Sequence, residues 1–464
     1  MSQLALVLTI VFVLYALRRD FRLGRRFTPG TWISFLWLSL SATRPLIYWV
    51  HPGAFAAFGE MAAWEQGRIE IIKNNPLDRN VLIALIILGL IILIRRRHHF
   101  QLRLSDNAWL AVFVVLCLVS VLWADEPSTV FKRWIRLIGD VIVILLILTE
   151  KEPEEAVYRI MRRMAILFLP LSVLLVRFYG DLGRIYTLYG TQMWVGVADH
   201  KNSLGALCAF TGIVLVWRGL AKWPKVDWID AGLVAVAVYL LLGSRSSTAA
   251  VVFVLGALLL AVQSLIKGDP RKLNRAIVSG LVVLLVLQII MVFFLNKSLA
   301  PVFFSAAGRD STFTGRVPLW QKLIAMGGRK PLVGSGFTSF WLNDDRVAEV
   351  WRTFTDTPMT AHNGYIDIFL DLGILGLLVA LFVMAQTYKN ILRWHESEPN
   401  LSKLRIVLFT MVFFHNFTES TWGKPFAFLW LLFLLSSLVV RARPDLESVS
   451  PLGVRKTQDI SPLN

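Results

Sequence analysis

Runs of about 15 to 20 apolar residues recur along the whole chain, each near the length a helix needs to cross a hydrocarbon core about 30 Å thick. One buried core cannot absorb so many. Stretches such as Val81 to Ile94 are apolar on every helical face, so lipid or other helices must surround them. A transmembrane barrel would show alternating polarity instead, in segments of about ten residues. Helices satisfy their own backbone hydrogen bonds in lipid and are the spans this pattern allows. The charged fraction agrees: 17% of the 464 residues, where soluble domains carry roughly 25%. The expected fold is all-α, a polytopic transmembrane helical bundle of about 12 to 13 spans.

The spans fall near residues 4–17, 31–50, 80–94, 108–123, 134–148, 164–178, 202–217, 228–242, 248–266, 276–295, 373–387, 406–417 and 426–440. The balance of 48 Lys+Arg against 31 Asp+Glu gives a net charge of +17. In a soluble protein this excess would point to nucleic acid; here the positive-inside rule accounts for it. Arg18, Arg19, Arg22, Arg25 and Arg26 fill the first loop, Arg95, Arg96, Arg97 and Arg103 the third, and Lys267, Arg271, Lys272 and Arg275 another. All three alternate as cytoplasmic loops. The N-terminus is then outside. Should the first run not span, it moves inside and the rest stays put. Arg18 and Arg19 follow that run, the reverse of a signal peptide's charge order, so it is expected to be retained. The organisation read from this is a core bundle at 1–295, a long outer loop at 296–372, C-terminal spans at 373–440 and a cytoplasmic tail at 441–464. Cys117 and Cys208 lie within apolar runs, without metal-site or disulfide spacing.

Loops as long as 296–372 are usually functional. Arg316 to Met326 reads as an amphipathic helix at the membrane surface, with Pro318 in its first turn. The glycines of Pro331 to Phe337 then break the helix before Phe340 and Trp341.

Polar residues at the outer ends of spans are the informative ones, because charge at the bilayer centre is costly. Arg245, in Gly243-Ser244-Arg245-Ser246-Ser247, occupies a very short outer turn. Its planar guanidinium suits phosphate oxygens if it points into the bundle; an interfacial snorkelling arginine is the alternative. Arg44 is similar, or pairs with a carboxylate such as Glu60. Asp199-His200-Lys201-Asn202 opens a span, with Lys201 as an anion contact or the group as an interfacial anchor capped by Asn202. Lys132, Arg133 and Arg136 fall on the outer face against the charge trend, which suits an anionic ligand or lipid headgroups. His362, in Ala361-His362-Asn363-Gly364-Tyr365, ends the long loop, where an imidazole suits proton abstraction from a hydroxyl or a structural role at a helix start. Asp344, Asp345, Glu349, Asp356 and Asp367 are alternative bases. Phosphate-loop, zinc and serine-elbow motifs are absent in convincing context.

Several of these stretches together resemble the O-antigen ligase and polysaccharide polymerase superfamily of bacterial inner membranes. They are Gly315-Arg316-Val317-Pro318-Leu319-Trp320, then Arg329-Lys330-Pro331-Leu332-Val333-Gly334-Ser335-Gly336, then Ala361-His362-Asn363-Gly364-Tyr365 running into Leu372-Gly373-Ile374-Leu375-Gly376. Trp194-Val195-Gly196 followed by His200-Lys201-Asn202-Ser203-Leu204-Gly205 is similar to the exopolysaccharide polymerase branch, and Ser244-Arg245 to the family's serine-arginine before a span. For a further family arginine between residues 177 and 200, Arg177 and Arg184 compete.

The resemblance implies a metal-independent glycosyltransferase without a prosthetic group. It would take an undecaprenyl-diphosphate-linked oligosaccharide at the periplasmic face of the inner membrane and transfer the glycan to a saccharide acceptor. In that reading His362 and Arg245 are catalytic, as base and as cation facing the leaving diphosphate. Arg44, Lys201, Asn202, Arg316, Trp320 and Asn363 bind substrate, with Trp320 stacking on a sugar or anchoring the loop in lipid. Other polysaccharide export proteins are implied partners, together with the bilayer; nucleic acid is not. The His-Lys-Asn segment favours a polymerase over a ligase that attaches glycan to lipid A core. A polysaccharide or lipid transporter is the rival from another class, and would bury ionisable residues at mid-span. A non-catalytic assembly or sensor protein would require neither His362 nor Arg245.

Overall fold

The computed structural model describes residues 2–22, 27–50, 75–186, 192–265, isolated positions between 276 and 287, 316–354, 358–394 and 398–442. Most of the expected span at 276–295, the basic loop 267–275, residues 296–315, Glu60, Asp356 and the tail from 443 lie outside the described residues.

The chain is an all-α membrane protein. The first helix, α1, covers Ser2–Arg22. Helix α2, Pro29–Ala42, starts from a capping box in which Thr28 and Thr31 satisfy each other's backbone N–H. It stops before Thr43-Arg44-Pro45, because proline disfavours helix in the residue preceding it, and a short α3, Leu46–Val50, follows. The expected span 31–50 is therefore broken in the middle. Helix α4, Pro76–Arg96, is capped by Asn75. It is followed by strand β1, Phe100–Gln101, by α5, Leu104–Val119, with a 3-10 turn at Ser120–Trp123, by α6, Pro127–Leu148, and by α7, Pro153–Phe178.

A one-turn helix α8, Gly180–Gly183, and a hairpin of β2, Arg184–Tyr186, with β3, Gln192–Trp194, form the connection that the sequence left unstructured. Helices α9, Lys201–Ala221, α10, Trp228–Ser244, and α11, Ser247–Leu265, follow. Beyond them come α12, Arg316–Gly327, α13, Asp344–Trp351, α14, Gly364–Trp394, α15, Pro399–His415, and α16, Phe428–Ser437. Strand β4, Arg441–Ala442, pairs antiparallel with β1. Among the described residues five helical stretches are long and apolar enough to cross a membrane: Pro76–Arg96, Leu104–Trp123, Lys201–Ala221, Ser247–Leu265 and Gly364–Arg393.

Ion pairs hold one end of the bundle. Arg162 and Arg163 of α7 both grip Asp20 of α1, and Arg162 reaches Asp230 of α10 at 2.6 Å. Asp20, Arg162, Arg163 and Asp230 are all buried, a position that charged groups tolerate only when paired. Arg96 meets Glu150 at 2.6 Å, and Arg441 meets Asp106 at 2.7 Å, at the same end.

Polar connections gather at the opposite end. The turn Pro331–Gly336 lies on a break in α14 at Gly373, whose φ of 65° and ψ of −161° suit glycine alone. Ile374 and Leu375 donate to the Pro331 and Leu332 carbonyls, while Ser335 and Gly336 donate to those of Leu370 and Asp371. A Cβ at Gly373 would lie 2.3 Å from the Leu332 carbonyl carbon, and one at Gly334 2.5 Å from that of Asp371. Backbone therefore touches backbone, which explains why both stretches carry glycine. Helix α12 departs from the expected surface helix. Its Leu319, Trp320, Leu323 and Met326 are buried, and Gly327 sits against Phe369 of α14, so its apolar face meets protein.

Candidate functional site

Helix α14 begins where Asn363 Oδ1 accepts the N–H groups of Tyr365 and Ile366, at 3.0 and 3.3 Å. The preceding residue, His362, has a φ of 48°. A left-handed residue with a Cβ costs about 1–2 kcal/mol and persists when its surroundings impose it. Among the described residues the other non-glycine positive-φ positions are Arg245, Thr338 and Phe426. All four fall in connections between helices, and strain of this kind clusters at functional sites.

His362 faces a carboxylate that the sequence reading missed. Its Nδ1 lies 3.4 Å from Glu419 Oε2. Asn202 donates to Glu419 Oε1 at 2.7 Å, and Arg316, with one nitrogen 2.6 Å from the Thr418 carbonyl, brings another to 3.5 Å from the same Oε1. Burial alone would raise the Glu419 carboxyl. The hydrogen bond and charge of His362, with the charges of Arg316 and His415, instead hold it well below the usual carboxylate range. An ionised carboxylate only accepts, so Nδ1 carries the hydrogen. In the neutral imidazole Nε2 then holds the lone pair, and the side chain is 37% exposed. An imidazole held in this way by a carboxylate has the geometry that general-base catalysis needs.

The four residues converging here, Asn202, Arg316, His362 and Glu419, come from four separate segments. Asn363 stands beside them: its N–H donates to Ser420 Oγ at 3.0 Å, and the Gly364 N–H to the Asn416 carbonyl at 2.9 Å. A signal for Glu419 exists in the sequence, where Asn416, Thr418, Glu419 and Ser420 interrupt two apolar runs.

The cap of α9 is His200, not Asn202: its Nδ1 accepts the Asn202 N–H at 3.2 Å. Burial pushes its imidazole down to about 4, so it is neutral near pH 7 and able to accept. Lys201 begins α9, half-buried, one residue before Asn202.

Arg245 is not buried among the helices. It is an exposed, left-handed C-cap of α10 with a φ of 53°. Three residues later the Thr248 hydroxyl meets that of Thr418 at 2.7 Å, which ties this corner to the Glu419 connection. Trp194 lies on the Gly243 backbone, and Arg177 stacks on that ring with its Cζ 5.0 Å from the centroid. Arg184 donates instead to the Val176 carbonyl at 2.6 Å.

Arg44 is buried and donates to the carbonyls of Ala198 at 2.8 Å and Gly196 at 2.9 Å, and to that of Leu182. It braces the 182–198 connection. Arg44→Met is expected to loosen this segment by about 3 kcal/mol, since each buried carbonyl left without a donor costs roughly 1 kcal/mol or more. Hydrogen exchange should rise across 182–198 and stay unchanged in α1 and α7.

Trp320 is 2% exposed and its Nε1 donates to the Ala361 carbonyl at 2.8 Å, so its ring neither stacks on a sugar nor anchors in lipid. Arg133 donates to the Thr338 carbonyl. Of the alternative bases, Asp344 and Asp345 are exposed at the start of α13. Glu349 is paired with Arg329 and Lys322, which hold it down at about 2. Among the described residues, no three histidine, cysteine or acidic side chains are grouped to hold a metal ion.

Fold and site together define a polytopic helical membrane protein with a histidine–carboxylate pair at one end of its bundle. Residues 231–381 match the family model described as O-antigen ligase, a stretch that contains Arg245, Arg316, Trp320, His362 and Asn363. The chain is thereby similar to the O-antigen ligase and polysaccharide polymerase superfamily, on its exopolysaccharide branch. Over 293 residues it is 26% identical to the exopolysaccharide production protein ExoQ of Rhizobium meliloti (strain 1021). That match covers 61% of this chain and 65% of the relative, so the chain spans just under two thirds of the relative's length.

Proposed function

We propose that this protein is an inner-membrane glycosyltransferase that polymerises exopolysaccharide repeat units at the periplasmic face, using undecaprenyl-diphosphate-linked donors. The observation that carries the reading is the His362–Glu419 pair, with Nδ1 of a half-exposed imidazole 3.4 Å from the carboxylate. Nε2 removes the proton from the acceptor hydroxyl as its oxygen attacks the anomeric carbon of the lipid-linked glycan. The bond from that carbon to the diphosphate oxygen breaks, undecaprenyl diphosphate departs with the electron pair, and the anomeric configuration inverts. Glu419 stabilises the imidazolium that forms. The leaving diphosphate is already a stable anion, so cationic stabilisation matters more than protonation. Arg245 is assigned that task, with Lys201 at the neighbouring helix start. Arg316 and Asn202 hold the carboxylate, and Asn363 sets the start of α14 under the base. The similarity to an exopolysaccharide production protein supports an exopolysaccharide product, and the polymerase is preferred to the ligase on the His200-Lys201-Asn202 segment.

The test is reconstitution in liposomes with an undecaprenyl-diphosphate-linked oligosaccharide, reading glycan length for wild type and for Arg245→Ala at matched folding. Lengthening is expected from wild type, with a loss of about 100-fold or more in the variant, the scale for one electrostatic contact to developing charge. Transfer to added lipid A core without lengthening would make the protein a ligase. Glycan crossing the bilayer with no new glycosidic bond would make it a transporter.

A further inference from the structure

The residue before His362 is gripped by both of its backbone polar groups. Trp320 Nε1 donates to the Ala361 carbonyl at 2.8 Å, and the Ala361 N–H donates to Asp367 Oδ1 at 3.1 Å. Both side chains reach Ala361 from inside the protein: Trp320 is 2% exposed and Asp367 3%. On the far side of His362, the Asn363 and Gly364 N–H groups are fixed by Ser420 Oγ and the Asn416 carbonyl. His362 is therefore one link between two anchored points, and its left-handed backbone is imposed by them.

Asp367 does more than hold Ala361. Its Oδ1 also accepts Trp341 Nε1 at 3.1 Å, and its Oδ2 takes Lys424 Nζ at 2.7 Å. Lys424 belongs to the same connection between α15 and α16 as Glu419. One buried carboxylate in the first turn of α14 thus bolts the segment that carries the imidazole to the connection that carries its orienting partner.

We infer that Trp320 and Asp367 are positioning residues for His362. They set the backbone that aims the imidazole at Glu419 on one side and at the acceptor hydroxyl on the other. This rests on the assignment of His362 as the base. Neither residue reaches the reacting atoms. Their effect passes through the peptide on the N-terminal side of His362, where a displacement of about 1 Å is enough to cost roughly 100-fold in rate.

The experiment uses Trp320→Phe, which keeps the buried ring and removes its donor, and Asp367→Asn, which keeps an acceptor for Ala361 and removes the charge that holds Lys424. Both are reconstituted in liposomes beside His362→Ala, with lipid-linked oligosaccharide as donor and acceptor. The expected result for each single variant is a fall in kcat of about 10- to 100-fold with KM within about twofold, since an interaction felt only in the transition state lowers kcat alone. The double variant should fall short of the product of the two losses, because both act through Ala361. Unchanged kcat in both single variants at wild-type melting temperature overturns the proposal. So does a raised KM at constant kcat in Trp320→Phe, which would make the ring an acceptor contact. Should His362→Ala keep its activity, the base assignment itself fails, an outcome the other two variants cannot mimic.

Discussion

His362→Ala is expected to lower the rate of glycosyl transfer by about 10²- to 10⁴-fold, the usual contribution of a general base, while the protein melts no earlier than wild type. The two halves of this result have separate physical causes. The rate falls because Nε2 is lost, a deficit of about 3 to 5 kcal/mol at 1.36 kcal/mol per tenfold. Stability is spared because His362 is half-exposed, its side-chain contact to Glu419 at 3.4 Å is long, and Asn202 and Arg316 still hold the carboxylate. His362→Gly should gain stability as well, since glycine accepts a φ of 48° without the penalty a Cβ brings. Glu419→Gln is the informative companion. It keeps the shape and leaves Arg316 and Asn202 without their charged partner, so both rate and stability should fall. Glycan-length assays set beside thermal melts in detergent separate the two. Activity retained in His362→Ala would move the base elsewhere.

Gly373→Ala is expected to destabilise the protein by about 2 to 6 kcal/mol, adding strain at a φ/ψ reserved for glycine to the cost of forcing a side chain into filled space. The new Cβ would lie 2.3 Å from the Leu332 carbonyl carbon and 2.5 Å from the Val333 nitrogen. Backbone cannot swing aside as a flexible side chain does. The turn 331–336 would lift from α14, and with it the hydrogen bonds of Ser335, Gly336, Ile374 and Leu375. Gly232→Ala serves as the contrast: a Cβ there meets nothing within 4 Å, inside α10, and should stabilise by about 0.5 to 1 kcal/mol. Urea or thermal unfolding in detergent reads both, and equal effects at the two glycines would show that the contact in α14 carries no energy.

The helices were legible because apolar length is a local property. Each expected span within the described residues overlaps a helix, with 31–50 divided at Pro45 and 426–440 helical only over Phe428–Ser437. The hairpin at 184–194 was not legible, since three residues a side carry too little alternation to register. Helix α12 was legible as amphipathic, but amphipathicity does not say whether lipid or protein covers the apolar face, and here α14 does. His362 and Asn202 stood out as polar residues near helix starts. Their meeting did not, because Asn202 and Glu419 are 217 residues apart and no spacing rule spans that distance. Glu419 was passed over among apolar runs where a carboxylate reads as one more interfacial charge. Arg44 illustrates the converse. A cation near a span end suggested a ligand, whereas the structure surrounds it with backbone carbonyls.

Glu419 also carries a consequence for the order in which the chain becomes competent. It lies between α15 and α16, yet it ties residues that precede it in the chain by 217, 103 and 57 positions. A ribosome inserting this chain from its N-terminus places Asn202, Arg316 and His362 before the carboxylate that unites them exists. The half-built bundle therefore holds a histidine without its orienting partner. Assembly of the site is deferred until the stretch joining α15 to α16 has been made, so that stretch acts as the closing key of a lock whose other parts are already in place.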